Sequence, residues 1–177
     1  VGMVKMLPKN PIHMKQEYTK ELVFGALGIA LVFISTMFLK LPNSIGGYLN
    51  LGDGFILLFS GLLGPFASFM VGGVGSAFAD IVGGYGSYAI ATMLIKGAEG
   101  ALVALLVHRS RRLRLAAYLL GSLLMIAGYY VTDSLLNASW IVGLAGIPGN
   151  LIQAAIGILI AMAGAPFLQR LKERPRE

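Results

Sequence analysis

The strongest constraint on this chain is that its few charges are bunched between long apolar runs. Only 12% of the 177 residues are Asp, Glu, Lys or Arg, whereas 56% are hydrophobic. A soluble domain carries roughly a quarter charged residues, so a water-soluble fold is excluded. A helix rises about 1.5 Å per residue, and about 20 apolar residues therefore cross a hydrocarbon core about 30 Å thick. The sequence predicts helices that span a membrane.

Six apolar runs are candidate spans, and together they predict an all-α integral membrane protein with six transmembrane helices. The runs are Leu22–Leu39, Gly52–Leu63, Pro65–Val82, Ser87–Val107, Leu113–Thr132 and Ile147–Leu168. The second run is short, and the break after it rests on Gly64-Pro65, because proline suits the first turn of a helix. The predicted organisation is a segment 1–21, a six-helix transmembrane domain 22–168 and a basic tail 169–177.

The basic residues predict the orientation of these spans. Of the 14 basic residues, 12 lie before the first span, between the fourth and fifth, or after the sixth. They are Lys5, Lys9, Lys15, Lys20, Arg109, Arg111, Arg112, Arg114, Arg170, Lys172, Arg174 and Arg176. With six spans these groups share one side, and the positive-inside rule places both termini in the cytoplasm. Topology thus explains the net charge of +6, and no nucleic-acid partner is expected.

The ionisable residues within or at the ends of the spans are the first candidates for a site, because such groups are costly at membrane depth. They are Asp53, Asp80, Lys96, Glu99 and Asp133, and nearly all fall in the predicted outer half. Lys96 and Glu99 are three residues apart and can pair on one helical face. Two main interpretations stay open, a structural ion pair or a pocket floor formed by Lys96 with Asp80; a proton or ion relay is a third.

Aromatic residues show the same one-sided distribution. Those predicted near the outer face are Tyr48, Tyr85, Tyr88, Tyr129, Tyr130 and the single tryptophan, Trp140. An interfacial belt populates both membrane surfaces, so this cluster favours a pocket for a flat, polar small molecule. The two long outer loops, Lys40–Leu51 and Asn137–Asn150, are expected to cap it, with Trp140 above the pocket.

Small residues in three spans predict close helix packing, either within the bundle or against another membrane protein. They are Ala26 and Ala30, then Gly72, Gly73 and Ser76, and finally Gly157, Ala161 and Ala165. The chain has no GxxxxGK[ST] loop, so we expect it not to hydrolyse ATP. The absence of HExxH, or of GxSxG with its partners, argues against an enzyme, and the absence of cysteine excludes thiol chemistry.

Several short motifs occur in an order that resembles a known family. They are Ala26-Leu27-Gly28-Ile29-Ala30, GYLNLGD (47–53), Gly64-Pro65, GSAFAD (75–80), GGY (83–85) and TMLIKGAEG (92–100). Over most of residues 18–170 the chain resembles the substrate-binding S components of energy-coupling factor (ECF) transporters, the vitamin-type members in particular.

This resemblance implies a protein of the bacterial cell membrane that captures a vitamin or vitamin precursor at its outer face. It implies a transmembrane T component and two cytoplasmic ABC ATPases as partners, with ATP hydrolysed by those partners and no cofactor in this chain. Ala26 and Ala30 would face the T component, and the whole subunit would topple in the bilayer to release its substrate. Hydroxymethylpyrimidine or pyridoxine ranks first as substrate, followed by riboflavin or pantothenate.

Two other functions stay open on the residues alone. One is a stand-alone proton- or ion-coupled carrier that uses Asp80, Lys96 and Glu99 as a relay, and the other is an integral-membrane enzyme. Under the leading interpretation the candidate substrate-binding residues are polar or aromatic and lie toward the outer face. They are Asn50, Asp53, Asp80, Tyr85, Tyr88, Thr92, Lys96, Glu99, Asp133, Asn137, Trp140 and Asn150.

Overall fold

The fold is a bundle of six helices with one small hairpin. The computed structural model describes the backbone of residues 11–42 and 48–173. The helices are α1 (Pro11–Phe38), α2 (Gly52–Ser60), α3 (Pro65–Val82), α4 (Ala89–Arg109), α5 (Arg114–Leu136) and α6 (Trp140–Glu173). The strands are β1 (Lys40–Pro42) and β2 (Tyr48–Asn50), and a 3-10 turn covers Arg111–Leu113. The predicted roles of Lys5, Lys9, Arg174 and Arg176 lie outside the described residues.

Five of the described helices are long and apolar enough to cross a membrane, and α2 is the exception. With 9 residues it is only about 14 Å long. The predicted helical membrane fold is confirmed. The count of six spans and the orientation of the termini are not settled by helix length and stay predictions.

Two helices begin earlier than the predicted spans. The first helix begins at Pro11 rather than Leu22, and α6 begins at Trp140 rather than Ile147. The predicted outer loop Asn137–Asn150 is therefore mostly helical, with Pro148 inside the helix. A proline removes one backbone donor and frees the carbonyl four residues earlier, but packed membrane helices tolerate this because neighbouring groups satisfy the freed carbonyl. The proline and glycines of this stretch are typical of a loop, but the stretch is helical where it packs within the bundle.

The other predicted outer loop, Lys40–Leu51, contains a two-stranded antiparallel hairpin, a small departure from an all-α fold. Lys40 pairs with Asn50, Leu41 with Leu49 and Pro42 with Tyr48. The middle of this predicted loop, residues 43–47, lies outside the described residues. The hairpin brings β2 against the bundle immediately before α2 begins.

The short helix α2 is enclosed by protein. Eight of its nine residues are buried. On one face it meets glycines of α6: a Cβ on Gly157 would touch Asp53, and a Cβ on Gly164 would touch Leu58. The apolar core surrounds the same helix and includes Val32, Phe59, Val71, Val103, Tyr118 and Ala161. A short helix is tolerated within a membrane where other helices cover it.

The glycines of α3 allow that helix to lie against the backbone of α4. A Cβ on Gly72 would overlap the carbonyl oxygen of Lys96, and a Cβ on Gly73 would overlap that of Met93. The sequence-based prediction of close packing is confirmed at these positions. Ala26 and Ala30 of α1 are instead exposed on the surface of the bundle.

We expect Gly72→Ala to lower the free energy of unfolding by about 1–3 kcal/mol, because the added methyl group must push two helix backbones apart. Gly25→Ala is the matched control, since nothing lies within 4 Å of a Cβ at that helical position. Thermal denaturation of the purified variants in mild detergent checks this. Equal midpoints for the two variants would contradict the packing described here.

Candidate ligand-binding pocket

A polar pocket lies at the end of the bundle where the hairpin meets α3, α4, α5 and α6. It is lined by Tyr48, Asn50, Asp80, Tyr85, Tyr88, Thr92, Tyr129, Asp133, Asn150 and Gln153. The space open to water-sized groups is ≈ 30 Å³, so a ring-sized ligand requires the lining side chains to move. Seven of the twelve predicted site residues are among the lining residues.

Two carboxylates in the pocket each accept a hydrogen bond from a tyrosine. The Tyr48 hydroxyl donates to Asp80 Oδ1, and the Tyr88 hydroxyl donates to Asp133 Oδ1 over 2.9 Å. Burial, together with the neighbouring carboxylate, raises the pKa of Tyr48, so this hydroxyl stays a protonated donor. Each tyrosine thereby occupies one carboxylate oxygen.

The second oxygen of Asp80, Oδ2, has no hydrogen-bond partner although the residue is only 2% exposed. Buried polar atoms in proteins are almost always hydrogen-bonded, and an exception calls for a ligand, a water or another physical reason. Thr92 lies beside the same carboxylate, and its hydroxyl accepts a hydrogen bond from Tyr129 over 3.1 Å. Asp80 Oδ2 is therefore an acceptor available to a bound molecule.

Aromatic rings form the walls of the pocket. The ring centroids of Tyr48 and Tyr85 are 4.5 Å apart, with an interplanar angle of 56°. The Lys40 ammonium lies 5.6 Å and 5.2 Å from these two centroids, within the range of cation–π attraction. Such walls suit a flat ligand that places its polar edge against the carboxylates.

The floor of the pocket is connected to an ion pair buried behind it. Gln153 Oε1 accepts from the Asn50 backbone N–H over 2.8 Å, and Gln153 Nε2 donates to Asp53 Oδ2 over 2.7 Å. The other oxygen of Asp53 is ion-paired with the Lys96 ammonium. Hydrogen bonds thus run from strand β2 through α6 to α2 and α4.

The predicted pair between Lys96 and Glu99 is present, with Lys96 Nζ 3.6 Å from Glu99 Oε2. The closer partner of Lys96 is Asp53, a pairing that the sequence analysis did not predict. All three side chains are at most 1% exposed. None of them lines the pocket, so the interpretation of Lys96 as the pocket floor is replaced by one in which it supports the floor from behind.

Asn137 and Trp140 do not line the pocket, contrary to prediction. The Asn137 amide donates to the Asp133 carbonyl over 2.9 Å and so closes the end of α5. Trp140 is 58% exposed and packs against Tyr130, with ring centroids 5.8 Å apart. Because α6 already begins at Trp140, this side chain is not carried over the pocket by a loop.

Three lining residues were not among the predicted site residues: Tyr48, Tyr129 and Gln153. The two tyrosines belong to the one-sided aromatic cluster, and membership of that cluster was the sequence signal that could have placed them among the predicted site residues. Gln153 is a carboxamide within the predicted sixth span, and a polar group at that depth requires partners. In the part of the chain that the structure describes, no three His, Asp or Glu side chains gather into a group that could hold a metal ion.

Together these features define a multi-pass membrane protein with a small polar pocket at one end of its helical bundle. Comparison with known families then identifies the kind of protein. The family described as "ECF-type riboflavin transporter, S component" matches residues 16–172. The chain belongs to this family of S components, and it is a transport protein rather than an enzyme.

Two relatives match most of the chain. The thiamine precursor transporter HmpT of Lactococcus lactis subsp. cremoris (strain MG1363) is 28% identical over 159 residues, covering 89% of this chain and 92% of the relative. A Pyrococcus woesei protein described as "Uncharacterized protein in gap 3'region" is 36% identical over 132 residues, covering 73% of this chain and 88% of that protein. The predicted resemblance to S components is confirmed.

We expect Lys96→Met to destabilise the fold by about 3–5 kcal/mol, because it leaves the buried carboxylates of Asp53 and Glu99 without their cation. Adding Asp53→Asn to this variant should recover part of the loss, since one uncompensated charge is then removed. Lys40→Met, at the partly buried rim, is the control. Unfolding midpoints in detergent check the series, and equal midpoints for Lys96→Met and Lys40→Met would contradict the structural role of the pair.

Proposed function

We propose that this chain is the high-affinity substrate-capture subunit of an ECF-type importer. It binds a vitamin or vitamin precursor at the outer face of the membrane and delivers it by toppling, in complex with a T component and two ABC ATPases that hydrolyse ATP. The observation that carries this proposal is the unpartnered Asp80 Oδ2 in a tyrosine-lined pocket of an S-component family member.

Hydroxymethylpyrimidine or pyridoxine is the substrate we rank first. The described residues that line the pocket include two carboxylates and neither lysine nor arginine, and the Lys40 ammonium contacts the wall rings without lining the pocket itself. Such a pocket favours a ligand with N–H or O–H donors and disfavours one that carries its own carboxylate, because like charges repel. Riboflavin follows, since it is larger than the pocket suits, and pantothenate, a carboxylate, ranks last. The match to a relative named as a thiamine precursor transporter supports the first rank of hydroxymethylpyrimidine, and the family description that names riboflavin keeps riboflavin in the series.

The proposed topology has six spans, with α2 counted as a crossing together with the turns at its ends, and both termini in the cytoplasm. The basic residues between α4 and α5 support it, because they lie at the end of the bundle opposite the pocket and the positive-inside rule places them inside. In this orientation the pocket opens outward. The bacterial cell membrane is consistent with the Lactococcus lactis relative.

The proposed contact with the T component lies on α1. Ala26 and Ala30 are exposed, and Ala26 lines an apolar groove of ≈ 500 Å³ between α1 and the start of α3. The groove is also lined by Leu22, Gly25, Ile29, Phe66 and Met70. Small residues beside an apolar groove let another helix approach closely, which supports a helical partner here.

We expect a saturable rise in thermal stability when the purified wild-type chain is titrated with hydroxymethylpyrimidine or pyridoxine, because a ligand that binds only the folded state stabilises it. Asp80→Asn should weaken that binding roughly tenfold or more, since a hydrogen bond to a charged group contributes about 1.5–3 kcal/mol. Asn137→Ala, outside the pocket, is the control. Riboflavin, pantothenate, thiamine and biotin complete the panel, and a folded protein that responds to none of these compounds would refute the proposed substrates.

The alternative function, a stand-alone proton- or ion-coupled carrier, draws support from the buried Glu99 carboxylate, which is ion-paired with Lys96 at 3.6 Å but has no hydrogen-bond partner. It predicts uptake by the chain alone in liposomes under a pH or ion gradient. A capture subunit instead requires its partners and ATP.

We expect no uptake by the chain alone, and uptake when it is co-reconstituted with a T component and ATPases. Ala26→Trp or Ala30→Trp should abolish that uptake and leave ligand affinity unchanged, because the bulky ring blocks the proposed contact. Liposome transport and ligand titration check both halves. Gradient-driven uptake by the chain alone would establish the alternative, and full uptake by both tryptophan variants would exclude the proposed contact surface.

A further inference from the structure

Gln153 uses both ends of its side-chain amide. The residue is 4% exposed on α6. Its Oε1 accepts from the Asn50 backbone N–H over 2.8 Å and from Asn50 Nδ2 over 3.4 Å. Its Nε2 donates to Asp53 Oδ2 over 2.7 Å. One side chain therefore joins the wall of the pocket to the ion pair behind it.

A carboxamide of this length meets both demands. An amide group offers a donor and an acceptor, whereas an ionised carboxylate only accepts and leucine does neither. A glutamate here would place a second carboxylate against that of Asp53. The chemistry of the neighbours thus selects glutamine at position 153.

The strand that Gln153 holds is also fixed on its other sides. Asn50 Oδ1 accepts from the Gly52 N–H over 2.8 Å and from the Thr36 hydroxyl over 3.3 Å. One helical turn before Gln153, a Cβ on Gly149 would overlap Leu49, so glycine lets β2 lie directly against α6. Strand β2 is therefore tied to α1, α2 and α6 through its last two residues.

We propose that Gln153 is a positioning residue of the ligand pocket. It fixes strand β2 to the buried Asp53–Lys96 pair, so that the pocket wall and the ion pair are stabilised together or loosened together. Asn50 and Gln153 both line the pocket, so a bound ligand would contact the two residues that form this hydrogen bond. The ligand-dependent part rests on the proposed function, whereas the coupling of β2 to the ion pair does not.

Residue-resolved hydrogen exchange on the full chain in detergent, without ligand, tests the coupling. In Gln153→Leu the Asn50 amide should exchange roughly tenfold faster than in the wild type, because the hydrogen bond that protects it is lost. Gln169→Leu is the matched control, since it changes the same residue type four turns further along α6. An Asn50 exchange rate within twofold of the wild type in Gln153→Leu would overturn the proposal.

A pair of reciprocal substitutions at positions 153 and 53 provides a second test if the Gln153→Leu variant fails to fold. Gln153→Glu alone should speed Asn50 exchange, because two carboxylates then face each other. Combining it with Asp53→Asn restores a donor opposite the new acceptor and should slow the exchange again by roughly fivefold. A double variant that exchanges as fast as the single one would overturn the assignment of a positioning role.

The same hydrogen-exchange measurement with ligand present distinguishes a failure of the proposed function from a failure of the proposed role of Gln153. Saturating hydroxymethylpyrimidine should slow Asn50 exchange in the wild type and have less effect in Gln153→Leu. If hydroxymethylpyrimidine and the other compounds in the panel leave the wild type unchanged, the proposed substrates fail. The two comparisons without ligand still decide the role of Gln153.

Discussion

The Asp53–Lys96 ion pair, buried inside the helical bundle, is the interaction on which the rest of the structure depends. The free-energy cost of removing two charges from water exceeds the attraction between them when the pairing is loose. Such a pair therefore persists only with good geometry and further hydrogen bonds. The first turn of α2 presents Asp53, the middle of α4 presents Lys96, and Gln153 of α6 occupies the remaining carboxylate oxygen. These contacts hold a helix too short to span a membrane, and with it the floor of the pocket.

Above this support the chemistry of the pocket suits the small, flat ligand that we propose. Tyrosines donate to Asp80 and Asp133, the rings of Tyr48 and Tyr85 form a wall, and one buried carboxylate oxygen remains unused. The apolar groove on α1 and α3 lies at the other end of the bundle. The proposed ligand site and the proposed partner contact thus lie on separate surfaces, as the proposed capture and delivery of a substrate requires.

Local pattern predicted much of this arrangement. The third span was predicted at its observed bounds, because Gly64-Pro65 marks a helix start and an apolar run follows. The pairing of Asp53 with Lys96 was not predictable, since 43 residues separate them and only packing brings α2 against α4. Trp140 was misplaced for a related reason: Pro148 and the nearby glycines are typical of a loop, but the neighbouring helices hold that stretch as part of α6. Periodicity predicts elements, whereas contacts between distant elements decide which polar side chains meet.

We propose that the pocket opens to the outside, and the labelling of single introduced cysteines tests this orientation. The chain contains no cysteine, so each introduced thiol is the only target for a membrane-impermeant maleimide. Ser87→Cys exposes a thiol in the turn before α4, at the pocket end, and Arg112→Cys exposes one between α4 and α5, at the opposite end. We expect Ser87→Cys to be labelled in intact cells and Arg112→Cys only after the membrane is permeabilised. The reverse pattern would contradict capture from the outer face.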